Sequence, residues 1–90
     1  MIVHDKEKNK FFEFIEKNES QLVYTYTDKD IVDIHTTFVH ETHRGQGVAK
    51  RLVESAIDFA KDNKLKITPS CSYVKNYFDK NKELKDLVSI

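Results

Sequence analysis

Six consecutive residues, Arg44-Gly45-Gln46-Gly47-Val48-Ala49, combine features that suit an anion-binding turn. Two glycines two positions apart let the backbone bend tightly and clear side chains from a ligand's path. Apolar residues at helical spacing follow at once, so the unpaired amides and positive dipole end of a helix would stand at the same place. A phosphate or pyrophosphate is the guest that such a turn accommodates. A strand-to-helix turn with no ligand needs the same glycines, and a lone Gly-x-Gly does not separate the two. The turn is neither of two familiar phosphate loops, because Gly-Lys-Ser/Thr is absent and so is the third glycine of the dinucleotide fingerprint. The second reactive group is Cys71, the one cysteine of the chain. A lone cysteine is most often an inert apolar filler. Its place at the start of a predicted helix, however, favours the thiolate. The histidines His35, His40 and His43 have no carboxylate or second thiol spaced to complete a zinc site, so no metal is expected.

The elements that must position these groups follow from periodicity. Residues 10–16, 21–27 and 30–39 are rich in β-branched and aromatic side chains, partly in alternation, and read as three strands joined by short polar links. From Gly47 to Asn63 the apolar residues Val48, Ala49, Leu52, Val53, Ala56, Ile57, Phe59 and Ala60 fall at helical spacing. A short strand over 65–68 is stopped by Pro69, and a second helix is expected over 74–81. The tail from Leu84 to Ile90 carries no assignment. The order β-β-β-α-β-α predicts an α+β fold. A mostly antiparallel meander is covered on one face by the long helix, and the fourth strand returns parallel beside the third.

At 90 residues and 10.6 kDa the chain is expected to form a single domain over 1–90. No run of 18 apolar residues exists and the start does not resemble a signal peptide, so neither a membrane span nor the secretory route is expected. With one cysteine and no internal disulfide, a reducing cytoplasm is the expected compartment. The net charge is zero but unevenly spread. Residues 1–43 hold nine acids and five bases, whereas residues 44–90 hold six acids and ten bases. The positive potential therefore lies in the half with the glycine turn, where an anion is most comfortable. Lysines near Tyr73, Tyr77 and Phe78 raise the question of nucleic acid, but neutral net charge and interspersed acids argue against it.

The turn resembles the Arg/Gln-x-x-Gly-x-Gly/Ala signature of the GNAT superfamily of acyl-CoA-dependent N-acetyltransferases. The stretch from His43 to Leu52, the helix after it, and Ile67-Thr68-Pro69-Ser70-Cys71-Ser72-Tyr73-Val74 are similar to the compact, single-domain branch of that superfamily. The likeness covers roughly residues 31–80 well. It implies acetyl-CoA as co-substrate and a primary amine as acceptor. The cofactor would be held by Arg44, Gly45, Gln46, Gly47, Val48 and Ala49, with Val39 polarising the thioester and Asn76 contacting pantetheine. Lys50 and Arg51 would stand within reach of the phosphates, with His43 as another phosphate contact. Only about forty residues precede the turn, so the acceptor site should be shallow and open, suiting a protein, peptide or polyamine amine.

The resemblance also implies that the two strands around Cys71 splay apart and hold the thioester in the gap, with Cys71 as nucleophile or wall. A histidine ends the third strand in the compact branch, but this chain is one residue longer between His35 and the glycines. Ungapped alignment puts Thr36 at that position, and a one-residue shift turns a side chain to the opposite face. A β-bulge would restore His35, and His35 with a bulge is the favoured reading. Tyr77 would be either an acid for the leaving thiolate or a buried anchor. The competing function is a non-catalytic acyl-CoA-binding or interaction module.

Overall fold

The computed structural model describes residues 1–89. Five strands form one sheet whose spatial order follows the chain: β1 (Val3–Asp5), β2 (Lys10–Ile15), β3 (Asn18–Asp28), β4 (Ile31–Phe38) and β5 (Lys66–Pro69). The first four pair antiparallel, and β5 lies parallel beside β4. Two helices, α1 (Val48–Asp62) and α2 (Ser72–Lys80), complete the α+β architecture expected from the sequence.

The alternation written into the strands decides which face the helices cover. Phe11 and Glu13 of β2, Ser20, Leu22 and Tyr24 of β3, and Val32 and Ile34 of β4 are all buried on one side. Against that side α1 sets Val48, Leu52, Val53, Ala56, Ile57 and Ala60, and α2 adds Val74 and Phe78. Burying such a stripe is what keeps a helix of this length folded, since its propensity alone would leave it marginal. Among the described residues the opposite side carries no second layer, and there Phe14 and Phe38 are 57% and 49% exposed. The molecule is accordingly flat, 36 × 30 × 19 Å.

Two elements differ from the expectation. A further strand, β1, precedes the first predicted one; three residues are too few to show a period. The unassigned tail forms a 3-10 segment over Lys82–Leu87 and then runs along β5, with a parallel bridge from Val88 to Ile67 and the Ser89 N–H donating to the Ile67 carbonyl at 2.8 Å. That contact covers an edge that would otherwise leave β5's outer backbone groups unpaired.

Candidate functional site

Between β4 and α1 the chain makes a 3-10 turn over Glu41–His43, started by His40, whose Nδ1 accepts from the Thr42 N–H at 3.2 Å. His43 is 1% exposed. Its Nε2 lies 3.2 Å from the Ile15 carbonyl, which can only accept, so that nitrogen carries the proton. Nδ1 then accepts from the Ser20 hydroxyl at 2.6 Å, and Ser20 Oγ accepts from the His40 N–H at 2.9 Å. His43 is therefore a buried tie between the turn and the sheet, with both nitrogens engaged, and is not presented to a phosphate.

Beyond it the two glycines take left-handed backbone angles, φ 81° at Gly45 and φ 73° at Gly47, a region costly for any side chain with a Cβ. Gly47 is the N-cap of α1 and supplies no side-chain hydrogen bond to the helix's first amides. Those amides open beside a cavity of about 280 Å³ lined by Val39, His43, Arg44, Gly45, Gly47, Val48, Ala49, Lys50 and Tyr73. Eight residues expected at the coenzyme, all of this lining but Tyr73, thus meet at one place. Gln46 faces elsewhere: its Nε2 donates to the Thr42 carbonyl at 2.9 Å. Asn76 lines a separate small hollow with Tyr73, Tyr77 and Lys80. Arg51 turns away from the cavity and donates to the Gln46 carbonyl at 2.6 Å and to Glu13 Oε1 at 2.9 Å. A larger hollow of about 430 Å³ lies elsewhere, lined by residues including His4, Phe11 and Phe59, without the glycine turn; Cys71 lines neither of the two.

β4 and β5 pair from Ile31–Lys66 to Ile34–Pro69. Just past the last pair the Cys71 N–H still reaches the Ile34 carbonyl at 3.0 Å, and the thiol donates to Thr37 Oγ1 at 3.4 Å. Cys71 is also the N-cap of α2. Burial pushes its thiol up, but the Thr37 hydroxyl and the backbone amides of Val74, Tyr73 and Thr37 outweigh it, holding the thiol below its ordinary value. Iodoacetamide should therefore modify folded Cys71 with a pH midpoint below that of the same cysteine in urea. Thr37→Val should move the folded midpoint upward, and equal midpoints in the folded and unfolded chain would refute this.

The extra residue of β4 is absorbed by a bulge. Val23 pairs with Thr36 and Tyr24 with Ile34, leaving His35 without a partner in the ladder. Its Nε2 is hydrogen bonded to Thr25 Oγ1 at 3.1 Å and its Nδ1 to Thr36 Oγ1 at 2.8 Å. Thr25 and Val23 alternate with the buried Leu22 and Tyr24, so they and His35 belong to the bare side of the sheet. Thr37 pairs with Leu22 and belongs to the helix side. The β4 residue that meets the thiol is thus Thr37, one position beyond the His35 and Thr36 that the sequence offered. Tyr77 approaches Glu54 Oε2 at 3.5 Å; burial, then the Glu54 charge, raises its phenol's pKa.

A model of the GCN5-related N-acetyltransferase family matches residues 11–87. Protein NATD1 of mouse is 33% identical over 82 residues, covering 89% of this chain and 74% of that protein. The human and zebrafish proteins of the same name are 33% and 32% identical over equal lengths. Among solved structures, the NMR solution structure of a GCN5-like protein from Staphylococcus aureus matches with a TM-score of 0.78 at 31% identity, covering 99% of this chain and 87% of that one.

Proposed function

The chain belongs to the GCN5-related N-acetyltransferase family, and on that premise we propose that it moves an acetyl group from acetyl-coenzyme A to a primary amine of a protein, peptide or polyamine. The observation that carries this reading is the two-glycine turn, whose capless helix amides open into a cavity shared with Lys50 and Tyr73. A diphosphate would take the amides of Gly45 and of residues 47–49 there, the Gln46 amide being bonded to the His43 carbonyl, with the helix dipole and Lys50 favouring its charge. Arg44 and Val39 line the same cavity.

The thiol's surroundings favour a covalent route. Cys71, held toward the thiolate, would attack the thioester carbon and release coenzyme A as its thiolate. A neutral amine would then attack the new cysteine thioester, expelling the Cys71 thiolate and passing its surplus proton to water. His35, bonded to Thr25 and Thr36 on the bare side, takes no part in this route. No acid, base or histidine contacts the thiol among the described residues.

Intact-mass spectrometry after incubation with acetyl-coenzyme A tests both parts. An acetyl adduct on Cys71, lost in Cys71→Ala together with turnover of a mixed-amine peptide, is the expected result. Turnover that survives in Cys71→Ala would keep the transferase and remove the covalent route. Retained coenzyme A without turnover of any amine would make the domain a binding module instead.

A further inference from the structure

Glu13 is a carboxylate buried on the core face of β2, with a side chain only 6% exposed, in a domain with little interior to spare for a charge. Burying a carboxylate is costly unless it is paired and hydrogen bonded. Its Oε1 accepts from Arg51 Nη2 at 2.9 Å, and its Oε2 from the Met1 ammonium at 2.6 Å. The Met1 ammonium, Arg51 and their hydrogen bonds hold the carboxyl below its usual range against the opposing effect of burial. The other arm of the same guanidinium reaches the Gln46 carbonyl at 2.6 Å, between the two glycines. One planar fork therefore ties the middle of the glycine turn to the sheet, through a Glu13 that lies 38 residues before Arg51.

We propose that Glu13 and Arg51 act as a positioning pair that fixes the turn between Gly45 and Gly47 for coenzyme binding, without either touching the coenzyme. This rests on the reading of that turn as the coenzyme site. Two glycines make the turn floppy in isolation, and a peptide whose amides must converge on an anion binds best when its geometry is set beforehand. The guanidinium supplies that setting. Its own charge is neutralised by Glu13, so the attraction for phosphate is left to the helix amides and Lys50.

Glu13→Gln and Arg51→Lys separate this from a direct role of Arg51. Glutamine keeps the shape and loses the charge that orients the fork. Lysine keeps the charge and the Met1–Glu13 contact but cannot span both acceptors. The pair predicts that each variant raises the Kd for coenzyme A about tenfold and that the double variant is no worse than either single one, as expected for one coupled unit. Turnover at saturating acetyl-coenzyme A should stay close to wild type. The amide resonances of Gly45, Gly47 and Val48 in the ligand-free protein should shift in both variants. If Arg51 instead left Glu13 to grip the phosphates, Glu13→Gln would tighten binding while Arg51→Lys weakened it, and the proposal falls. It falls equally if both variants lower thermal stability yet leave Kd and the three amide resonances unchanged. A wild-type protein that does not bind coenzyme A would overturn the site's functional reading, and the amide shifts would then still decide whether the pair sets the turn.

Discussion

Replacing Gly47 by valine should raise the Kd for coenzyme A at least about a hundredfold while the domain still folds. The backbone there sits at φ 73°, and forcing a β-branched residue into that region costs roughly 1–3 kcal/mol. A domain of 90 residues has about 5–13 kcal/mol in hand, so the fold survives with a lowered melting temperature. A Cβ at Gly47 would meet Arg51 Nη1 at 3.7 Å, an ordinary contact, so no interior clash adds to the strain. The damage falls on the cavity, which Gly47 lines and whose amides need close approach by the ligand. Gly47→Ala separates the two effects, since it carries most of the backbone strain and little of the bulk. At Gly45, where nothing lies within 4 Å of an added Cβ, alanine should cost stability and weaken binding far less. The assay is isothermal titration with coenzyme A beside a urea melt. A Gly47→Val protein that folds and binds with unchanged affinity would place the coenzyme elsewhere.

Leu52→Ala should be the most destabilising single truncation, costing about 3–5 kcal/mol in urea unfolding. Leu52 is fully buried within the stripe that α1 presents to the sheet. The sheet backbone on one side and the helix on the other are both held by their own hydrogen bonds, so the vacated space has little freedom to collapse. That loss is a large share of the total, and the melting temperature should fall by roughly 15 °C or more. Phe14→Ser is the matched contrast: a larger side chain is removed from the bare face, where Phe14 is 57% exposed and meets Phe12 edge-on at 5.5 Å. Its cost should be about 1 kcal/mol or less. Equal losses from the two would mean that the bare face is covered in solution.

The strands and α1 were legible because their periods are strong and their punctuation is sparse. Leu22 and Tyr24 alternate without interruption, and α1 keeps its stripe for four turns. The GCN5-related family was legible too, through the glycine turn and the segment around Cys71. What stayed hidden depends on contacts between distant positions. A glutamate amid phenylalanines reads as a solvated residue in a strand, and only the packing of α1 on β2 brings Arg51 to it. His43 beside a glycine turn reads as a phosphate ligand until Ser20 and Ile15, more than twenty residues earlier, are seen to claim both ring nitrogens. Thr37 was hidden for a subtler reason. The bulge at His35 was the expected way to absorb an extra residue, but it shifts which β4 residue stands opposite the cysteine, and strand alternation alone does not fix that register. For Glu13 one signal was available: an acid flanked at i−2 and i+2 by the buried-face pattern, which asks for a partner.

A sheet whose spatial order repeats its chain order has a consequence for how the molecule assembles. Each strand from β2 to β4 pairs with the one made just before it, across turns of a few residues, so hairpins can close on the microsecond scale before any helix exists. Such local pairing lowers contact order and speeds folding. The one long closure is the return of β5 beside β4, which must wait for α1 between them. Until then the apolar side of a four-stranded ribbon stands open to water, and the interval before α1 docks is when the nascent chain is most prone to associate with its own copies. The geometry of the glycine turn is therefore among the last features to form: it takes its final shape only after α1 has settled and Arg51 has reached Glu13.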